Sequence, residues 1–275
     1  MIIIDRTKKA LINGAFLVIT LAVNALGALG LINGLSQKEI SDMYVTMITP
    51  SPTTFSIWSV IYSLLIISMF VMIVKKDETY YKNAIDKITF FFRISCLLNI
   101  AWIVAFSYVY IELSVIFILG FVITLALICM ELKKIQEGKR FLLPLTFGLY
   151  TGWLFIATVV NIAASLVKLK WNGFGIANET WAIIMLVVAI VLTALVIFKT
   201  RNAAFPLPIA WAYLGIYQFL KSPEGFKGEF GNLQTTAIVG MVVLIGMAAF
   251  LFYQNRFTLI KQTSDSNKVS SSDEL

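Results

Sequence analysis

Eight apolar stretches, each long enough to cross a bilayer, take up most of this 275-residue chain. They run over roughly 11–31, 54–74, 88–109, 113–131, 141–167, 180–198, 203–220 and 233–253. A helix needs about 20 apolar residues to span about 30 Å of hydrocarbon. Lipid cannot satisfy backbone N–H and C=O groups, so unbroken runs of this length must close their hydrogen bonds internally, as helices. A mean hydropathy of +0.86 and a charged fraction of only 13% agree. The fold class expected is therefore an all-α integral membrane protein with about eight transmembrane helices. The seventh stretch is short and carries Pro206 and Pro208 near its start.

Charge placement sets the expected orientation. Arg6, Lys8 and Lys9 precede the first stretch, and Lys75, Lys76, Lys82 and Lys87 lie between the second and third. Lys133, Lys134, Lys139 and Arg140 lie between the fourth and fifth, Lys199 and Arg201 follow the sixth, and Arg256, Lys261 and Lys268 follow the eighth. That puts sixteen basic residues on one side, against Lys38, Lys168, Lys170, Lys221 and Lys227 on the other. The positive-inside rule makes the richer side cytoplasmic, together with both termini. The same loops account for the net charge of +7 without invoking nucleic acid. The first stretch reads as a retained helix rather than a cleaved signal. From Ser264 the chain is Ser/Asp/Asn-rich and reads as a disordered polar tail. Its Ser272–Leu275 ending reads as chance rather than as a retrieval signal.

Much catalytic chemistry is excluded. The chain has no histidine, which removes a Ser-His-Asp triad and His-ligated haem. Cys96 and Cys129 fall inside helices without CxxC spacing and read as structural thiols. No Walker loop or dinucleotide fingerprint is present, and Gly138, Gly173 and Gly175 read as loop punctuation. No metal site and no cofactor are expected.

Polar side chains at bilayer depth are the default functional candidates. Arg93 sits well inside the third stretch, where snorkelling to the headgroups competes with a buried partner. Glu112 is expected to be solvated in the turn that follows. Asn99 and Trp102 are three apart and share a helix face, as do Trp58 and Tyr62, four apart. Trp153, Ala157 and Asn161 recur every four residues, giving a stripe of large ring, small residue and amide. Two readings stay open from spacing alone: interhelical amide glue with an interfacial tryptophan belt, or the lining of a pocket for a flat apolar ligand. Trp171 and Trp181, at the outer boundary, fit the belt.

Three segments resemble the TspO/translocator protein family, the tryptophan-rich sensory proteins. Thr49-Pro50-Ser51-Pro52 followed by Phe55 to Tyr62 is similar to its proline-rich loop leading into W-x-x-x-Y. Leu97-Leu98-Asn99-Ile100-Ala101-Trp102 with Phe106 is similar to L-N-x-x-W-x-x-x-F. Pro144, then Trp153-Leu154-Phe155-Ile156-Ala157-Thr158 and Asn161, is similar to P-x-x-x-W-x-x-F-A-T-x-x-N. The resemblance covers 11–167. It implies a five-helix bundle around a cavity for porphyrins and other flat hydrophobic ligands, capped by the loop between helices 1 and 2. The chain departs from the pattern in lacking a tryptophan beside the loop prolines, and in having Leu113 or a neighbouring aliphatic where the family has an aromatic. With its three further helices the chain resembles the longer, divergent branch of that family.

The organisation expected is a TspO-like bundle over 1–167, an added three-helix segment over 168–263 and the tail over 264–275. The function expected is a membrane receptor or sensor for a tetrapyrrole or other flat hydrophobic ligand, with Trp58, Tyr62, Asn99, Trp102, Trp153, Ala157 and Asn161 lining an intramembrane cavity. A porphyrin enters only as ligand. A secondary transporter for such a molecule is the alternative, as is light-dependent porphyrin breakdown, although the chain offers no conventional acid, base or metal set for other enzymes. The partners expected are the lipid bilayer, a small hydrophobic ligand and a second copy in a homodimer, with nucleic acid excluded. The expected location is a bacterial cytoplasmic membrane.

Overall fold

A computed structural model describes residues 6–136 and 141–261. The polar tail from Ser264, Gly138, Lys139, Arg140 and Lys268 lie outside these residues. Every regular element among the described residues is helical: α1 (Arg6–Ala28), α2 (Gln37–Met43), α3 (Ile57–Val74), α4 (Thr79–Ser107), α5 (Ile111–Lys133), α6 (Leu142–Lys168), α7 (Asn178–Thr200), α8 (Pro206–Lys221) and α9 (Gly231–Gln254). Short 3-10 turns occur at Pro52–Ser56 and Gly173–Gly175. All eight apolar stretches fold as helices. Seven reach spanning length, counting the 3-10 turn that leads into α3.

The exception is α8, whose 16 residues cover about 24 Å at about 1.5 Å per residue. Its brevity follows from the turn before it. Asn202, Ala203, Ala204 and Phe205 are all buried, so the chain folds inward before the helix starts. Non-helical backbone at such a position needs protein partners. Asn202 Nδ2 donates to the Pro144 carbonyl (2.7 Å), and its Oδ1 accepts from the Ala204 N–H (2.9 Å). The Ala203 N–H donates to the Leu259 carbonyl (2.9 Å). Pro206 and Pro208 then sit in the first turn of α8, where a missing N–H breaks no intrahelical bond.

The centre of the bundle is α6, whose apolar window is 61% buried against 22% for α7. It packs on α5, α3 and α8, while α4 lies between α1 and α5, and α9 leans on α8 and α7. Close approach of α6 and α8 depends on Gly152, where a Cβ would run into the Phe205 carbonyl oxygen. The buried face of α1 reads Ala10, Asn13, Leu17, Thr20, Asn24 and Gly27, alternating steps of three and four that make a continuous seam along the helix.

Two elements differ from the hydropathy reading. α4 begins nine residues before the apolar stretch at 88, because Tyr80, Ala84, Ile85 and Ile88 keep a buried helical face through a charged segment. α2 interrupts the loop after α1 through a capping box: Ser36 Oγ accepts from the Glu39 N–H (3.2 Å), and Glu39 Oε2 accepts from the Ser36 N–H (2.7 Å).

The charged candidates also find partners. Arg93 is half-buried and does not reach free for the headgroups: its Nε donates to Asn13 Oδ1 (2.9 Å), with the guanidinium 5.9 Å from the Phe16 ring centroid. Glu112 falls in the first turn of α5 and pairs with Lys168 at 2.7 Å. Trp171 and Trp181 lie against each other, ring centroids 5.0 Å apart, beside the turn between α6 and α7.

Candidate functional site

Where α3 begins and α4 nears its end, these two helices and α6 direct aromatic rings at one another. Trp58 is the hub. It stacks on Tyr62 one turn later (centroids 4.9 Å, planes 28° apart) and faces Trp102 of α4 at 6.5 Å. From α6, Tyr150 and Trp153 approach it edge-on at 6.2 and 6.1 Å. Phe55, in the 3-10 turn before α3, adds an edge contact to Trp153 at 5.9 Å. All these separations fall in the ordinary contact range for aromatic pairs. The rings therefore occupy the middle of the cluster with one another, where the sequence reading expects a hollow.

A polar chain runs beside the rings and joins four helices. Tyr62 OH donates to Asn24 Oδ1 (2.8 Å), Asn24 Nδ2 donates to Asn99 Oδ1 (2.6 Å), and Asn99 Nδ2 donates to Tyr150 OH (3.0 Å). Asn99 is fully enclosed. Two buried amides, Asn24 and Asn99, thus link α1, α3, α4 and α6, the arrangement that makes polar groups tolerable inside the bundle. A second amide, Asn161, donates from Nδ2 to Ser114 Oγ of α5 (2.9 Å), while Trp102 Nε1 approaches its Oδ1 at 3.5 Å. Ala157 lies between Trp153 and Asn161 on α6, half-buried and packed on the core.

One donor stands apart: Trp153 is 2% exposed, yet its Nε1–H has no hydrogen-bond partner. Enclosing such a donor without an acceptor costs about 1–3 kcal/mol. Trp102 escapes that penalty only through the long contact to Asn161.

The structure thus brings Trp58, Tyr62, Trp102 and Trp153 into direct ring contact. It ties Asn99 to them through Tyr62 and Tyr150, and Asn161 through Trp102. Asn24, Ser114 and Tyr150 are not among the sequence candidates, although Tyr150 lies between Pro144 and Trp153 of the third segment. Asn24 carried a usable signal, since Asn13, Thr20 and Asn24 recur at helical spacing on one face of α1. Ser114 carried none. Among the described residues no group of three His, Cys, Asp or Glu side chains is placed to hold a metal ion.

Fold and site together define a polytopic helical membrane protein built around a buried aromatic and amide cluster. The chain belongs to the TSPO-like protein family, whose model matches residues 10–250. The match runs through α9 and so takes in the helices beyond the five that carry the sequence motifs. No curated protein and no solved structure matches the chain.

Proposed function

We propose that this protein is a membrane sensor that binds a flat hydrophobic ligand at the Trp58–Trp102–Trp153 cluster, a tetrapyrrole being the first candidate. The observation that carries the reading is the unpaired Trp153 N–H, on a buried ring that meets Phe55 and Trp58 edge-on. A ligand with a carbonyl, carboxylate or ring-nitrogen acceptor offers that donor the partner it lacks, while the indoles supply stacking surface. Family membership supports the same class of function.

Binding in this geometry requires a ring to move, because no flat molecule fits between rings whose centroids are 4.9–6.5 Å apart. Trp58 is the ring to swing. It is only half-buried, and it lies two residues after the exposed Phe55 and Ser56 pair. The loop from Thr46 to Ser56 then acts as the cover. Its Thr54 carbonyl is held by Trp211 Nε1 of α8 (2.9 Å), and the Ser51 N–H donates to the Gly215 carbonyl (2.9 Å). The basic loops face the cytoplasm of a bacterial cell, and a second copy of the chain is the assembly partner.

The test is a titration of the purified full chain with protoporphyrin IX, following tryptophan fluorescence. Saturable quenching is expected, weakened about tenfold in Trp153→Phe, which removes the N–H but keeps a ring. Quenching that never saturates, or that is unchanged in Trp153→Phe, refutes the reading.

A further inference from the structure

Far from the aromatic cluster, the C-terminal ends of α5, α7 and α9 meet around a pocket of about 440 Å³ lined by Lys133, Arg201, Gln254, Asn255 and Lys261. Three of the five lining residues are cations and none is a carboxylate. Among the described residues these cations make no ion pair. Lys133 Nζ donates to the Lys199 carbonyl (2.9 Å), and Arg201 Nη1 donates to Gln254 Oε1 (3.2 Å). The carboxylate nearest in sequence to Lys133, Glu131, is taken by Lys134. Elsewhere on the protein, by contrast, Arg6 and Lys9 share Asp86. Like charges gathered without a counter-charge repel, and an anion of the right size relieves that repulsion.

The pocket is built rather than incidental. Asn255 is 2% exposed, and its Nδ2 is shared between the Arg201 carbonyl (2.9 Å) and the Leu259 carbonyl (3.1 Å). That amide pins the end of α7 to the turn that presents Lys261. Arg201 itself adopts a left-handed backbone (φ 54°), a conformation that glycine or asparagine usually fills at a helix end. Its guanidinium lies 5.3 Å from the ring centroid of the exposed Phe198. Exposed Tyr253 and Phe257, in edge contact at 5.9 Å, belong to the same end of α9. Exposed aromatics beside cations at the ends of spanning helices mark the headgroup level of a membrane.

We infer that this pocket binds a phosphate-bearing anion, either the headgroup of an anionic phospholipid or a free phosphate offering the same chemistry. The Arg201 fork and the two lysine ammonium groups donate to phosphate oxygens, Gln254 Nε2 offers a neutral donor beside them, and Asn255 holds the turn in place.

Thermal unfolding of the purified full chain in neutral detergent tests the assignment, with phosphatidylglycerol, phosphatidylcholine and inorganic phosphate as probes. Phosphatidylglycerol is expected to raise the unfolding temperature saturably, and phosphatidylcholine to leave it unchanged. Arg201→Gln and Lys261→Gln should each raise the half-saturating concentration about tenfold, while the loop variant Lys75→Gln/Lys82→Gln should not. If inorganic phosphate saturates with the same dependence on Arg201 and Lys261, beyond matched sodium chloride, free phosphate is the source and the site stands. If phosphate acts only as salt does, the lipid is the source. An equal response in the pocket and loop variants, or to phosphatidylcholine, overturns the proposal. Lys261→Gln alters no helix end, so it keeps the test decisive should Arg201→Gln misfold.

Discussion

Asn99 has both ends of its amide engaged inside the bundle, so its removal takes one hydrogen bond each from Asn24 and Tyr150. Asn99→Ala should lower stability by about 1–2 kcal/mol, read as an earlier thermal unfolding transition in detergent. An unchanged transition would mean that the polar chain contributes little. Trp58, Trp102 and Trp153 are recognisable from their spacing, because three- and four-residue steps place each of them on one helix face with a tyrosine or an amide. Their mutual contact is not, because the distance between two helices is set by small residues on each, and no spacing within one helix reports it. Tyr150 shows the same limit. Its hydroxyl matters only because Asn99 of α4 stands opposite.

Among the elements, α6 and the entry to α8 come close at Gly152, whose missing side chain lets the Phe205 carbonyl sit against the helix. Gly152→Leu should destabilise the protein by about 1–3 kcal/mol through overpacking. Gly14→Ala, where an added Cβ meets only Ile73 Cδ1 at 3.7 Å, should be close to neutral. Equal thermal transitions for the two variants would contradict the close approach. Helix existence was legible throughout, since eight apolar runs became eight helices. Boundaries were less so. Lys82, Asp86 and Lys87 hid the first turns of α4, whose buried face continues past the apolar run. The Ser36/Glu39 pair that starts α2 was readable but too short to register in a hydropathy window.

For the molecule as a whole, the alternation of the helices puts the segment between α3 and α4 on one side and that between α6 and α7 on the other. Cys96 and Cys129 are both buried, so the native thiols give little background to a labelling experiment. In intact cells a membrane-impermeant maleimide should label Lys170→Cys and spare Lys76→Cys. The reverse pattern would overturn the positive-inside orientation. The pocket at the ends of α5, α7 and α9 was not legible at this scale. Lys133, Arg201 and Lys261 are far apart in the chain, and each alone reads as an ordinary topology charge.

The inward turn before α8 has a consequence for how the chain is made. The Ala203 N–H finds its acceptor at Leu259, and Asn255 closes the same junction. Both partners are synthesised more than fifty residues after the groups they satisfy. While that last stretch is still in the ribosome, the Ala203 N–H and the Arg201 carbonyl lack their native partners, and the turn rests on the Asn202 contacts. Biogenesis should therefore finish from the C-terminal end, with α9 and its following turn locking the penultimate helix into a bundle whose earlier spans are already in place.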